Sequence, residues 1–316
     1  MPPTPMAVAL ATVMEPVAFG VFTADFGTLM ASVNHHEEMA RAASVNGKVV
    51  VVTGGARGIG YATAKALHDL GAKVAIGDVD EVAVKEAGTD LDVGFYARLD
   101  VTDRQSFTTF LDDVERELGP VDVLINNAGI APAGRFLDEP DDVTQRTIAI
   151  NVFGVILGTK LAAQRMVKRR RGHIINIASL AALGAVPGIA TYTATKHAVL
   201  GFTDTARLEL RGTSVTLSAV MPTLTNTSMI DGVASVSGFR NAEPEDIAAA
   251  VVGLIEKPKP RLEVTRAAGL LIDIVPRFMP LRVSEALNRA LRVDSIFVEA
   301  ADTKERRDYE DRARHT

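Results

Sequence analysis

Short apolar runs alternate along the chain with longer segments that have helical spacing. The first run, KVVVVT at 48–53, is apolar without interruption, which is typical of a strand buried on both faces of a sheet. Further runs of this kind predict strands at KVAIGD (73–78), GFYARLD (94–100), VDVLIN (121–126), HIINIAS (173–179) and SVTLSAVMP (214–222). Strands that alternate with helices predict an α/β fold with a doubly wound parallel sheet, helices on both faces and a single domain.

The pattern changes at both ends of the chain. Residues 1–44 are interrupted by prolines and show no period, so we expect a loosely ordered N-terminal extension, whereas 45–265 carry the alternating pattern. Residues 266–316 form a C-terminal extension whose apolar stretch, 267–281, has three open roles: a cover for a pocket, a contact with a neighbouring subunit, or a weak contact with a membrane surface. The last fifteen or so residues are highly charged, which predicts a solvated helix or tail.

Composition narrows the class of protein. The chain of 316 residues has no cysteine, so thiol catalysis and cysteine metal sites are excluded, and its net charge of −5 disfavours nucleic acid as a partner. We expect no metal site: the adjacent side chains of HHEE (35–38) point in divergent directions. The apolar stretches are interrupted too early to span a bilayer, and a cytoplasmic location is the expectation.

The segment TGGARGIG (53–60) lies where the first strand meets the first helix. Glycines at such a turn let the backbone approach a pyrophosphate, and the helix N-terminus adds amide donors, as in a Rossmann-type fold. Asp78, eighteen residues after Gly60, ends the next strand, where a carboxylate accepts hydrogen bonds from ribose hydroxyls and repels a 2′-phosphate. NAD is therefore favoured over NADP, although Arg57 could meet a 2′-phosphate. The candidate cofactor contacts of the turn are Gly54, Arg57, Gly58, Ile59 and Gly60.

Four motifs together resemble the short-chain dehydrogenase/reductase family, in its compact single-domain branch. They are the glycine turn, NNAG (126–129), Ser179 and the pair Tyr192/Lys196, in the order and spacing of that family over about residues 47–265. The resemblance implies an NAD(P)-dependent oxidoreductase acting on alcohols and carbonyl compounds. It also implies a homo-oligomer, a dimer or tetramer packed partly through its long central helices.

Tyr192 and Lys196 share one face if their segment is helical, because they are four residues apart. Reduction of a carbonyl needs a proton donor, and oxidation of an alcohol needs a base. A free phenol has a pKa near ~10, and a nearby ammonium favours the phenolate. We therefore expect Tyr192 to be the acid/base and Lys196 to lower its pKa. The resemblance implies that Lys196 also holds the nicotinamide ribose.

Two further side chains complete the expected catalytic set. Ser179 ends the HIINIAS strand, at the edge where α/β sheets bind ligands, and its hydroxyl would stabilise charge on the substrate oxygen. Asn151, in IAINVFG (148–154), matches the helix asparagine of the family, which supports a water in a proton relay.

The resemblance assigns the remaining cofactor contacts. It implies that the adenine contacts Asp100 and Val101. The adenosine and ribose side would be lined by Asn127, Ala128 and Gly129, and the nicotinamide would meet Pro222, Thr225 and Thr227. Asp100 could equally cap the next segment. The family often has Pro-Gly where this chain has Pro222-Thr223, and threonine lacks the tolerance of glycine for positive φ. This loop could therefore follow a different path from the loop of the family.

The expected pocket walls, LAALGAVPGIA (180–190) and 223–241, are mostly small and apolar, which favours a lipophilic alcohol or ketone over a sugar or phosphate ester. Two other classes of function remain as alternatives. One is a non-catalytic dinucleotide-binding regulator, and the other is a membrane-associated scaffold that acts through the C-terminal extension. All four catalytic residue types are present, which favours the enzyme.

Overall fold

The computed structural model describes residues 42–234, 240–264, 280–290, 295–301 and 303–315. The chain divides into two units between Ser44 and Val45, and the fold below is that of the second unit. Nearly all of the predicted N-terminal extension, including HHEE (35–38), lies outside the described residues, and so do residues 267–279 of the apolar stretch.

Seven parallel strands form the sheet, in the order β3-β2-β1-β4-β5-β6-β7. The strands are β1 Val49–Thr53, β2 Lys73–Asp78, β3 Phe95–Arg98, β4 Val123–Asn126, β5 Gly172–Ile177, β6 Val215–Pro222 and β7 Arg261–Val264. The strand order reverses beside β1, so a crevice opens at the carboxyl ends of β1 and β4. This confirms the predicted doubly wound parallel sheet.

Helices cover both faces of the sheet. They are α1 Gly58–Asp69, α2 Glu81–Asp90, α3 Arg104–Glu117, α4 Asp141–Ile148, α5 Val155–Arg169, α6 Ala190–Glu209 and α7 Pro244–Glu256, and the last strand is followed by the C-terminal helices α8 Leu281–Ala290, α9 Ile296–Ala300 and α10 Lys304–His315. A π-helical segment, Ala149–Gly154, joins α4 to α5. Within β1, Val50 and Val52 belong to one core cluster and Val49 and Val51 to the other, which explains the uninterrupted apolar run.

The helical run Asp141–Arg169 corrects the expectation that every apolar stretch is too short to span a bilayer. Its 29 residues are long and apolar enough to cross a membrane by length and composition alone. Half of its most apolar window is buried inside the fold, as in the core helix of a globular domain.

Helix α10 corrects the expectation of a solvated C-terminal tail. Arg306 is 0% exposed, Tyr309 7% and Ala313 5%. These residues recur at i, i+3 and i+7, so they lie on one helical face, and the neighbouring charged residues face solvent. Although α10 is highly charged, one of its faces is buried against the rest of the fold.

Candidate active site

The glycine turn is held against β4 by close backbone contact. Gly54 has φ of +63°, and a Cβ on it would lie 2.8 Å from the Cα of Ala128. The side-chain amide of Asn127 donates to the carbonyls of Thr53 (2.9 Å) and Gly54 (3.0 Å). The segment after β4 thus fixes the turn. Asn127 both hydrogen-bonds the backbone of the turn and lines the cavity.

The turn opens α1 toward a large cavity. No side chain caps this helix at Arg57, and Gly54, Gly58 and Ile59 line the cavity beside it. An uncapped helix N-terminus with a glycine turn has the amide donors and dipole that suit a phosphate. Gly60 does not line the cavity: a Cβ there would lie 2.0 Å from the carbonyl oxygen of Gly54. Gly60 therefore packs the helix closely against the turn, and its contact with the cofactor stays a prediction.

Carboxylates dominate the far end of the cavity. Asp78 accepts hydrogen bonds from the backbone amides of Ala56 and Asp80, both at 3.2 Å, and burial raises its pKa. Asp80 caps α2 through the amide of Ala83 at 3.0 Å and forms an ion pair with Arg57. The guanidinium of Arg57 is therefore already partnered by a carboxylate, a feature that sequence reasoning missed.

Asp100 and Val101 follow β3 and line the same end. The carboxylate of Asp100 accepts from the amide of Thr102 at 2.9 Å and from its hydroxyl at 2.6 Å. This is a local turn of the kind that aspartate forms with the residue two positions on. Asp100 does not cap the next helix, because Asp103 does so through the amide of Ser106.

Helix α6 carries Tyr192 and Lys196 into the cavity, where Ser179 also lies after β5. The ammonium of Lys196 is 5.5 Å from the centre of the Tyr192 ring and donates to the carbonyl of Ile177 at 2.9 Å. Ser179 accepts a hydrogen bond from the amide of Ala181 at 3.1 Å, and its hydroxyl lies near enough to Tyr192 to lower the pKa of the phenol. The predicted triad of side chains is thus brought to one place.

Burial is the larger influence on the two titrating groups. It raises the pKa of Tyr192 above 10.0, against the opposing hydrogen bond of Ser179, and lowers the pKa of Lys196 to about 8. The low pKa expected for the phenol is therefore not found in the protein alone, because burial outweighs the groups that favour the phenolate. In this environment Tyr192 is a neutral acid, and Lys196 is still mostly protonated at neutral pH.

Asn151 lies in the π-helical segment and is fully buried. Its side-chain oxygen accepts from the amide of Ile130 at 2.9 Å, and its nitrogen donates to the carbonyl of Ile130 at 2.8 Å and to the hydroxyl of Thr195 at 3.1 Å. Asn151 does not line the cavity, although the neighbouring Ile150 does. The side chain therefore ties the loop after β4 to α6, and its support of a proton relay stays a prediction.

The loop after β6 brings Pro222, Thr225 and Thr227 to the cavity. It is tied to the segment before α7, where the amide of Ala242 donates to the carbonyl of Leu224 at 2.8 Å. Thr223 is not among the non-glycine residues with positive φ in the described part of the chain. Threonine is therefore accommodated at this position without backbone strain.

The cavity has a volume of about 710 Å³ and runs from Asp78 to the C-terminal helices. Ala128 and Gly129 also line it. At the Tyr192 end its walls come from the segments around 180–189 and 222–230, as expected, and also from Ile296, Phe297 and Tyr309. These three residues belong to the C-terminal extension, for which a role as a pocket cover was one of the open roles, although sequence reasoning did not single them out.

Comparison with known proteins places these features in a family. A family model described as short chain dehydrogenase matches residues 48–236. A "probable oxidoreductase EphD" of Mycobacterium bovis is 33% identical over 250 residues, which are 72% of this chain and 42% of that protein. The chain thus spans less than half the length of that relative.

In two further comparisons the match covers most of the other protein. A "3-alpha-(or 20-beta)-hydroxysteroid dehydrogenase" of Mycobacterium bovis is 36% identical over 213 residues, covering 67% of this chain and 78% of that one. The crystal structure of gox2181 superposes with a TM-score of 0.67 at 26% identity, covering 72% of this chain and 97% of the other.

Proposed function

The chain belongs to the short-chain dehydrogenase family, and from that premise we propose that it transfers a hydride between NAD(H) and a lipophilic secondary alcohol or the corresponding ketone. The family is one of NAD(P)-dependent dehydrogenases of alcohols and ketones. One observation carries the finer proposal: a single cavity has the glycine turn and Asp78 at one end and Ser179, Tyr192 and Lys196 at the other.

The choice of NAD over NADP rests on the carboxylates beside the turn. Asp78 and Asp80 both line the far end of the cavity, where a 2′-phosphate would add a third negative group. Two arginines line this end: Arg57 is paired with Asp80, and Arg98 is exposed to solvent. An additional phosphate would have to compete with Asp80 for the guanidinium of Arg57, so the balance favours a ribose with two free hydroxyls.

The residues that would hold the dinucleotide follow the length of the cavity. The pyrophosphate would lie at Gly54, Gly58 and Ile59, and the adenosine at Asp78, Asp100, Val101 and the 127–129 segment. The nicotinamide end would lie near Lys196, Pro222, Thr225 and Thr227. When bound, the nicotinamide supplies the hydride or accepts it.

The protein's own groups handle the proton. In reduction, Tyr192 donates its hydroxyl proton to the substrate oxygen, which suits a phenol whose burial keeps it protonated. Ser179 hydrogen-bonds the same oxygen and stabilises the charge that develops there. The ammonium of Lys196, 5.5 Å from the ring, then stabilises the phenolate that remains. In oxidation the same groups act in reverse.

The substrate class follows from the walls around Tyr192. Leu180, Val186, Ile189, Leu224 and Phe297 line this end, and they offer apolar surface and no charge. These five side chains desolvate an apolar substrate favourably and offer no hydrogen-bonding partner to a sugar or phosphate ester. A lipophilic alcohol or ketone fits it best.

The proposal is tested in two steps on the purified protein. Thermal unfolding with NAD⁺ and with NADP⁺ should show the larger stabilisation with NAD⁺, about 2.7 kcal/mol at a hundredfold excess over Kd. Formation of NADH is then followed with apolar secondary alcohols, sugars and phosphorylated alcohols. Turnover confined to the anionic compounds would overturn the substrate class, and a larger shift with NADP⁺ would overturn the cofactor choice.

We expect a homo-oligomer in solution, and we propose a cytoplasmic location. Support for assembly comes from apolar side chains exposed on the central helices: Ile148 is 47% exposed, Phe153 49% and Leu208 44%. Light scattering after size exclusion measures the mass directly, and a monomer at micromolar concentration would contradict the expectation.

A further inference from the structure

Helix α10 brings a second phenol to the substrate end of the cavity. Tyr309 lines the cavity together with Tyr192 and Ser179. The two phenols are close enough that charge on Tyr192 would act on the pKa of Tyr309. The reaction as derived above uses Tyr192, Ser179 and Lys196, and leaves Tyr309 without a role.

Tyr309 is held rigidly in this position. Its hydroxyl oxygen accepts a hydrogen bond from the amide of Ala131 at 2.8 Å. Its ring lies 4.4 Å from the guanidinium of Arg306, which is fully buried and donates to the carbonyls of Ala131 and Met229. Glu310 adds a bond from the amide of Ala133 at 2.9 Å. A side chain fixed in this way is preorganised for binding.

The phenol retains one unused hydrogen-bonding function. A tyrosine oxygen that accepts from an amide still carries its own proton, which it can donate. Among the residues that the structure describes, no acceptor is found for this proton. Burial raises the pKa of Tyr309 to about 12, so the hydroxyl remains a donor throughout the working pH range.

We propose that Tyr309 is a specificity residue that donates a hydrogen bond to a second oxygen of the substrate. This inference rests on the proposed function and narrows it: the substrate is an apolar molecule that carries two oxygen functions, one at Tyr192 and the other at Tyr309. A compound with a single carbonyl leaves the Tyr309 donor unpaired, and discrimination of this kind is effective in a buried site.

The test compares Tyr309→Phe with the native protein on matched ketones and NADH. The probes are an eight-carbon methyl ketone and eight-carbon diketones whose second carbonyl stands at increasing distance from the first. For the best diketone, kcat/KM should fall about 5- to 20-fold in Tyr309→Phe, while the monoketone changes little. Tyr96→Phe, which removes a phenol from an exposed position outside the cavity, should change neither value.

Two outcomes would overturn the inference. One is an equal loss on the monoketone and the diketones, which would mark Tyr309 as a purely structural latch. The other is a native enzyme that shows no preference for any diketone.

Absence of turnover with every ketone would instead contradict the proposed function. In that case binding decides the role of Tyr309. Thermal stabilisation of the NADH-loaded protein by the diketones, relative to the monoketone, should be lost in Tyr309→Phe, and an unchanged difference would overturn the inference.

Discussion

Replacement of Arg306 by methionine should release helix α10 from the substrate cavity. Arg306 is 0% exposed, and its guanidinium donates to Glu310 at 2.8 Å, to the carbonyl of Met229 at 2.5 Å and to the carbonyl of Ala131. Methionine has a similar reach and no donors, so it leaves these three acceptors without their partner.

The magnitude follows from the burial of the pair. The side chain of Glu310 is only 13% exposed, so its carboxylate would remain nearly buried without a counter-charge. Removing one partner of a buried ion pair costs about 3–5 kcal/mol, which corresponds to an increase of about 10²- to 10⁴-fold in the undocked population of the helix. The cost is limited to the free energy of docking, because the helix can leave the domain.

Native-state hydrogen exchange measures this opening. The amides of Ala131 and Ala133, which donate to Tyr309 and Glu310, should exchange faster in Arg306→Met together with those of α10, while the central strands stay protected. Lys304→Met removes an exposed cation from the same helix and should change little. Unchanged protection of α10 in Arg306→Met would refute the reasoning, and so would an equal loss across the whole domain.

Three other substitutions test separate parts of the molecule. Asp80→Asn keeps an acceptor for capping but frees Arg57, so the ratio of Kd for NADP⁺ to Kd for NAD⁺ should fall several-fold, and a constant ratio would contradict the cofactor argument. Gly60→Ala would place a Cβ 2.0 Å from the Gly54 carbonyl oxygen, so NAD⁺ affinity by titration should fall about tenfold or more. Burial lowers the pKa of His173 from 6.5 to about 4, so the unfolded state binds the proton first. The stabilisation that comes from the neutral His173 is therefore complete above pH 6.5 and is lost as the pH falls toward 4. Urea unfolding should show a loss of about 2 kcal/mol at pH 5, and His173→Gln should flatten this pH dependence.

Each of these has a matched control in the same chain. Asp69→Asn removes another exposed acid that is paired with a cation, and it should leave the cofactor ratio unchanged. Gly253→Ala introduces a Cβ with no atom within 4 Å and should not weaken NAD⁺ binding. His197→Gln alters an exposed histidine and should keep the native pH dependence of stability.

Local patterns predicted the parts of the molecule that depend on neighbours in the chain. The uninterrupted valines of β1 indicate a strand with both faces buried, and Tyr192 and Lys196 share a face because α6 is helical between them. The glycine turn was recognisable because its strand and helix flank it directly. All three features rest on contacts within a few residues.

Long-range contacts could not be predicted in the same way. Arg306 donates to Ala131, 175 residues earlier in the chain, and the charged residues around it suggested a solvated helix. The pKa of Tyr192 depends on burial, which the sequence does not reveal, as well as on the pairing with Lys196, which it does. Gly60 packs against Gly54, and Asn151 hydrogen-bonds the backbone of Ile130. The contact of Asn151 with Ile130 depends on the assembled fold.

The most direct test of the central claim is the rate of hydride transfer in Tyr192→Phe, measured together with NAD⁺ affinity. Loss of the proton donor should lower kcat on an apolar secondary alcohol by about 10²- to 10⁴-fold, with the Kd for NAD⁺ nearly unchanged. A variant that keeps kcat within a few-fold of the native value, with NAD⁺ still bound, would contradict the assignment of Tyr192 as the acid/base of this enzyme.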